Sequence, residues 1–297
     1  MEELWLKDNE LIPKFEWIQE INKLKTNIIL NNKEEIKKQL KKQLISAVEK
    51  RLPNKKFAIL FSGGVDSSFI AAVCKKLNKD FVCISIGFQD DTKEPEDIVE
   101  AKKVAKKLNL NLKYKVFNLV EAENIIEETV GILKTYNKTD VVNIGVGSVV
   151  LAAIALGRKE GINYFLGGLG SEEIFAGYER HDKAQDINDE CWKGLEGMWE
   201  RDLIRDFNLA KKLGVKVKTP FLDEELINFA MKIPSEWKIV KEQKKVILRE
   251  VAEELLGEFA WRKKKAAQYG SCFDKAIAKL TKKKGFEFKK DYLESLR

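Results

Sequence analysis

The residues best equipped for chemistry fall in one short block. Positions 57–68 read FAILFSGGVDSS. An apolar run from Phe57 to Phe61 stops at Ser62-Gly63-Gly64. After Val65, Asp66, Ser67 and Ser68 stand at the head of a helix-like stretch, FIAAVCKKL. The pattern predicts a buried strand passing through a glycine turn into a helix. Such a turn lets the backbone approach an anion closely, and the free N–H groups of the helix's first turn point at it. The hydroxyls of Ser62, Ser67 and Ser68 add donors. Asp66 places a carboxylate in a phosphate site, which calls for a bridging cation such as Mg²⁺. The spacing is neither GxxxxGK(S/T) nor GxGxxG. A chance carboxylate in a serine- and glycine-rich turn is the bland alternative, and the fit of strand, turn and helix as one block weighs against it.

The elements that must position this loop follow in a regular rhythm. Ile36, Leu40, Leu44 and Val48 recur every four residues and predict an amphipathic helix before the loop. After the strand Phe57–Phe61 and a helix to about Leu77 come a strand Phe81–Phe88, a helix opened by Pro95 and ending at Asn109, and a strand Leu112–Phe117. The stretch Leu119–Leu133 follows with Val120, Ile125, Ile126 and Val130 as its apolar side, then a small, apolar buried helix over Asn143–Leu156. A fourth strand, Asn163–Leu166, ends in a second glycine cluster, Gly167 to Ser171. This alternation predicts an α/β fold, a doubly wound parallel sheet with right-handed crossovers. Ligands then sit beyond the carboxyl ends of the strands where the winding reverses. Ser62-Gly63-Gly64, Ser85-Ile86-Gly87 and Gly168–Glu173 should therefore converge. Glu172 and Glu173 fall where a second metal-binding carboxylate is useful, although first-turn acids favoured by the helix dipole look the same.

The domain reading is a lead-in over 1–34 and one unit over 35–297, with a nucleotide-binding α/β core at 35–180 and a mostly helical part at 181–297 completing the site. Of 297 residues, 44% are hydrophobic and 34% charged, and 54 Lys and Arg against 47 Asp and Glu leave a net charge of +7. These proportions suit a globular protein with a full core. Four cysteines with no C-x-x-C pair argue against a zinc ribbon or redox pair. No signal peptide or membrane span is evident, so a cytoplasmic location and no membrane partner are expected. The basic tail reads as a solvated end, and a nucleic-acid partner is not favoured.

SGGVDSS looks like the pyrophosphate loop of the ATP pyrophosphatases, which split ATP into AMP and pyrophosphate. With later blocks, the stretch from about Lys38 to Ile277 resembles the synthetase domain of asparagine synthetase and its β-lactam-forming relatives. Those blocks are LISAVEKRL before the loop, LGGLGSEEIFAGYER at Leu166–Arg180, RDLIRDFNLAKKLGVKVKTPFLD at Arg201–Asp223, KKVILRE at Lys244–Glu250 and WRKKKAAQYG at Trp261–Gly270. The resemblance implies an ATP pyrophosphatase (adenine nucleotide alpha hydrolase-like) fold, with ATP and Mg²⁺ as cofactors. It implies that Ser62, Gly63, Gly64, Asp66, Ser67 and Ser68 hold the phosphates, with Asp66 on Mg²⁺. Ile86 and Gly87 would meet the adenosine, and Gly168 joins the nucleotide site. Glu172 stands where the family has an Asp serving Mg²⁺-pyrophosphate. Lys245 matches a lysine on pyrophosphate, and Lys264 matches one that stabilises charge around the α-phosphate and acyl-adenylate. Lys263 and Lys265 read as solvated charge.

Three departures bear on the substrate. Glu2 replaces the N-terminal Cys nucleophile of glutamine-using members, and few residues precede the loop. The expectation is a stand-alone synthetase domain that takes free ammonia, ammonia from a separate glutaminase partner, or another amine. Leu169 occupies a glutamate position of the family, and VVNIGVGSVV lacks its arginine. Losing both signs of charge argues against aspartate and for a less charged or larger carboxylic acid. The resulting expectation is an AMP-forming ligase that makes an amide from a small-molecule carboxylic acid. Two other readings compete with it. One is a tRNA- or sulfur-modifying enzyme, for which Cys272 is the candidate thiol. The other is a non-catalytic nucleotide-binding subunit, against which Lys245 and Lys264 together argue.

Overall fold

The structure, a computed structural model, describes residues 2–89, 93–263 and 265–297. Lys264, a candidate catalytic residue, lies outside the described residues, as do positions 90–92.

The chain opens with a small hairpin, β1 (Leu6–Lys7) and β2 (Glu10–Leu11), followed by α1 (Lys14–Leu24). The 1–34 lead-in shares an apolar core with the helical C-terminal part. Trp17 is fully buried, and its indole N–H donates to the Leu195 carbonyl at 2.9 Å. Asn32 caps α2 (Lys33–Glu49) by accepting from the Glu35 N–H, and Ile36, Leu40, Leu44 and Val48 form its buried stripe as their spacing predicts. The core then runs β3 (Phe57–Leu60), α3 (Val65–Lys76), β4 (Phe81–Phe88), α4 (Glu96–Leu108), β5 (Leu112–Phe117), α5 (Leu119–Leu133), α6 (Val141–Lys159) and β6 (Tyr164–Leu166).

Beyond β6 the chain is mostly helical: α7 (Ser171–Ile174), α8 (Glu179–Asp182), α9 (Ile187–Met198), a π-helical turn over Trp199–Leu203 and α10 (Ile204–Lys212). A strand the sequence reading lacks follows, β7 (Lys216–Lys218). Then come α11 (Glu224–Ala230), a hairpin of β8 (Ile239–Val240) and β9 (Gln243–Lys244), and α12 (Val246–Leu256). The chain closes with α13 (Ala267–Gly270), α14 (Phe273–Lys283) and α15 (Lys289–Glu294).

β3 to β7 form one all-parallel sheet in the order β5-β4-β3-β6-β7. The winding proceeds outward from β3 through β4 to β5, then reverses to β6 and β7. The switch point therefore lies between β3 and β6, where the two glycine turns begin. One apolar core covers each face of the sheet: α2, α3 and α12 pack on one side, and α5, α6, α10 and α14 on the other. α6 is long and apolar enough to cross a bilayer by length and composition. In the fold it is a core helix against β4, α5 and α10, with Ile144, Leu151 and Ile154 buried. Val120 departs from the expected apolar side of α5. It is exposed on the outer face of α5, where Ala122, Ile126, Val130 and Leu133 make the inner face.

Candidate active site

The first turn is held open by its glycines. Gly63 adopts φ +68°, and a Cβ there would sit 2.8 Å from the backbone of Glu100 and Ala101 in α4. A side chain at this position is excluded by conformation and by space. Gly64 starts α3 with no side-chain cap, so the N–H groups of that first turn face the strand ends. Within the loop, Ser67 Oγ donates to the Gly64 carbonyl at 3.3 Å and accepts from the Ser62 N–H at 3.3 Å.

The second turn comes from β6. Gly170, at φ +100°, passes so close to Leu222 that a Cβ would lie 2.6 Å away. This turn delivers Ser171 and Glu172 to the switch point. The third contributor is Lys245, in the left-handed conformation (φ 58°) at the head of α12. Its Nζ donates to both Asp66 oxygens at 2.9 Å and to Ser171 Oγ at 2.9 Å, and lies 2.8 Å from Glu172 Oε1. Burial works against this ammonium, but the Asp66 and Glu172 carboxylates outweigh it and hold its pKa above the ordinary lysine value. Gly177 makes the arrangement possible: a Cβ there would fall 1.6 Å from Glu172 Oε2 and 2.5 Å from Lys245 Cε.

A cavity of about 930 Å³ opens over these groups. Of the residues singled out from the sequence, Ser62, Asp66, Ser67, Ile86, Gly168, Glu172 and Lys245 line it. Gly63 and Gly64 shape the turn without lining the cavity. Ser68 is fully buried behind the loop, and its Oγ has no partner among the described residues. Gly87 faces away. Alternation along β4 turns it toward Pro95 and Ile98, and a Cβ would strike the Pro95 ring at 2.6 Å. Lys263 and Lys265 are exposed but also line the cavity, and Lys265 pairs with Glu96 at 2.8 Å.

Several contributors were not singled out as site residues from the sequence, although most lie in the blocks that carry the resemblance. Arg262 donates to the Ser62 carbonyl at 3.1 Å, and Arg249 donates to the Arg262 carbonyl at 2.9 Å, so the segment leading to Lys264 is tied to the phosphate loop. Trp5, from the lead-in, lines the cavity and donates to Thr219 Oγ1 at 2.9 Å. The π-helical turn and α10 add Arg201, Asp202, Arg205 and Asp206. The cavity therefore keeps both signs of charge, contrary to the expectation drawn from Leu169 and the arginine-free α6. These charges are largely paired with one another. Arg201 binds Glu173 and Asp202 (2.7 Å), and Arg205 binds Asp202 (3.3 Å) and Asp206 (2.7 Å). Glu173 is fully buried. Burial, reinforced by Asp202, pushes its pKa up to about 7 against the pull of Arg201. Cys272 sits in the left-handed region ahead of α14, and burial raises its thiol pKa, which works against a nucleophilic role.

An all-parallel doubly wound sheet, with two glycine turns and a paired lysine meeting at its switch point, defines an α/β protein with an anion site of the nucleotide-binding kind. The chain belongs to the asparagine synthase family, which it matches over residues 39–208 and 182–285. A Methanocaldococcus jannaschii protein provisionally named glutamine-hydrolyzing asparagine synthetase 1 is 32% identical across 99% of this chain and 60% of its own length. The Gallus gallus glutamine-hydrolyzing asparagine synthetase is 28% identical across 88% of this chain and 47% of its own. The chain thus spans about half to three fifths of these relatives. An NMN synthetase structure from Francisella tularensis aligns over 87% of this chain and 98% of that one, at 15% identity and a TM-score of 0.34, too slight a likeness to add to the fold.

Proposed function

We propose that the chain is an ATP-dependent ligase that adenylates a carboxylic acid and passes the acyl group to ammonia or an amine, releasing AMP and pyrophosphate. The observation that carries this reading is the convergence on Lys245 of the phosphate loop from β3 and the glycine turn from β6. Family membership supports it, and the curated relatives are named as glutamine-hydrolyzing asparagine synthetases.

In the proposed reaction a carboxylate oxygen attacks the α-phosphorus of ATP, and the bond to the bridging oxygen of the β-phosphate breaks. The nitrogen nucleophile then attacks the acyl carbon, AMP leaves and a proton is released. The N–H groups at the head of α3 and the Ser67 hydroxyl would hold phosphate oxygens, and Lys245 would balance the charge of the departing pyrophosphate. Lys264 is proposed as the cation beside the α-phosphate on the strength of the resemblance, and Arg262, two positions earlier in the chain, donates to the Ser62 carbonyl. The chain's work is positioning and fixed charge, with no protein nucleophile.

The donor set fits Mg²⁺. Two carboxylates, Asp66 and Glu172, converge on one cation beside the Ser171 hydroxyl, and all are oxygen ligands. Mg²⁺ is commonly held by one or two carboxylates and completes its shell with phosphates and water. Asp66 and Glu172 would hold it, and it would neutralise charge on the leaving pyrophosphate. Ammonia would come free in solution or from a glutaminase.

The test is product analysis with α-labelled ATP and a panel of carboxylic acids. Acid-dependent AMP and pyrophosphate are expected. ADP as the product, or no acid-dependent cleavage, overturns the proposal.

A further inference from the structure

The wall that α6 presents to the cavity is apolar. Val142, Val146, Val149, Val150 and Ala153 line it at helical spacing. Val142 is 52% exposed and Ala153 is 5% exposed, so the stripe runs from the mouth inward. Leu169, Leu203 and Val217 add apolar surface to the same cavity. Hydrocarbon left against water in a concave site is unfavourable until a ligand covers it.

A second observation is independent of the stripe. Gln268 lines the same cavity, is 7% exposed and packs beside α6 at Gly145. Its Oε1 has no partner among the described residues. A buried amide oxygen without a donor is costly, and a turn of the Gln268 amide toward the cavity would present it to a ligand N–H or O–H. A third observation concerns charge. The guanidiniums of Arg201 and Arg205 are already engaged with carboxylates, so neither is poised for a second carboxylate on the acid.

Resting on the ligase reading above, we infer that the acid substrate carries an extended hydrocarbon segment lying along the Val142–Ala153 stripe, with a hydrogen-bond donor that meets Gln268. The acid is a chain-bearing hydroxy or amino acid, larger than a four-carbon dicarboxylate. The reactive carboxyl end points to the loop and Lys245, and the hydrocarbon follows α6 toward the mouth. Specificity then comes from length and apolar area, with Gln268 reading one polar atom.

ATP–pyrophosphate exchange on the unmodified protein tests this without depending on any variant folding. The panel is straight-chain acids of two to eight carbons, their hydroxylated counterparts, and aspartate. Exchange efficiency should rise about fourfold per added methylene until the stripe is filled. Hydroxylated acids should exceed plain ones, and Gln268→Leu should abolish that difference. Val146→Thr, which keeps shape but adds a hydroxyl, should raise KM for the best acid severalfold and leave KM for ATP unchanged. Aspartate as the best acid, or no dependence on chain length, overturns the inference and leaves the ligase reading standing. A Val146→Thr effect on ATP of equal size assigns the stripe to the nucleotide and also overturns it. Exchange with no acid at all removes both.

Discussion

The ammonium of Lys245 lies 2.9 Å from each oxygen of the Asp66 carboxylate, 179 residues earlier in the chain. Both side chains are almost closed to solvent, 5% and 7% exposed. The pair fastens the phosphate loop to the head of α12, and Glu172 joins from the second turn. Lys245→Ala leaves two carboxylates facing each other with no cation between them. Removing one partner of a buried ion pair costs about 3–5 kcal/mol. Urea unfolding should show a loss of that size. Millimolar Mg²⁺ should restore part of it, because a divalent cation substitutes for the ammonium. If Mg²⁺ has no effect on this variant's stability, Asp66 and Glu172 are not a metal site.

Gly177 and Gly63 separate function from folding. At Gly177 an added methyl meets the far ends of the Glu172 and Lys245 side chains, flexible groups and not backbone, which can shift at little cost to the fold. Gly177→Ala should therefore change stability by less than about 1 kcal/mol. Acid-dependent pyrophosphate release should fall at least tenfold, since Glu172 and Lys245 are pushed apart. At Gly63 the methyl meets α4 backbone with φ at +68°. Gly63→Ala should lose at least about 2 kcal/mol of stability as well as activity. Equal stability losses in the two variants would contradict the geometry.

The alternation of strand and helix was legible because each crossover repeats one rhythm, and both glycine turns lie in contiguous blocks. Long-range arrangement was not legible. β7 is three residues of Lys-Val-Lys with no apolar run to announce it, and only its register against β6 makes it a strand. The π-helical turn over Trp199–Leu203 has no signature in the spacing of apolar residues, yet it shifts the register and brings Arg201, Asp202 and Arg205 to the cavity. The resemblance placed Gly87 with Ile86 at the adenosine, yet the pleat of β4 sends it to the face opposite Ile86.

Two buried groups give stability opposite pH dependences. Glu173, with its pKa raised from 4.5 to about 7 chiefly by burial, binds its proton more tightly when folded, so its contribution falls as pH rises through that window. His181, lowered from 6.5 to about 3 by burial and the nearby Arg180 charge, does the reverse and adds stability as pH rises from 3 to 6.5. The two partly cancel in the whole protein. Glu173→Gln isolates the first: relative to the unmodified chain it should gain about 3 kcal/mol in urea unfolding between pH 4.5 and pH 8. A constant difference across that range would mean that Glu173 is ionised throughout.

Glu3 turns the N-terminal lead-in into part of the site's frame. Its carboxylate is 1% exposed, and Oε2 accepts from the Thr219 N–H at 3.1 Å, from Thr219 Oγ1 at 2.8 Å and from Arg51 Nε at 3.1 Å. Arg51 in turn donates to Asp223 at 2.8 Å, and Trp5 donates to Thr219. Residues from the lead-in, the end of α2 and the stretch after β7 therefore share one closed network, and Trp5 and Thr219 from it line the cavity. Glu3→Ala strips an anion from a buried arginine and an acceptor from a buried N–H, and should cost about 3 kcal/mol or more. Glu3→Gln keeps an acceptor for Thr219 and should recover part of that loss. KM for the acid should rise in Glu3→Ala even below its melting temperature, because Trp5 and Thr219 lose their common anchor. A loss under about 1 kcal/mol, with KM unchanged, would make the lead-in a passive cover.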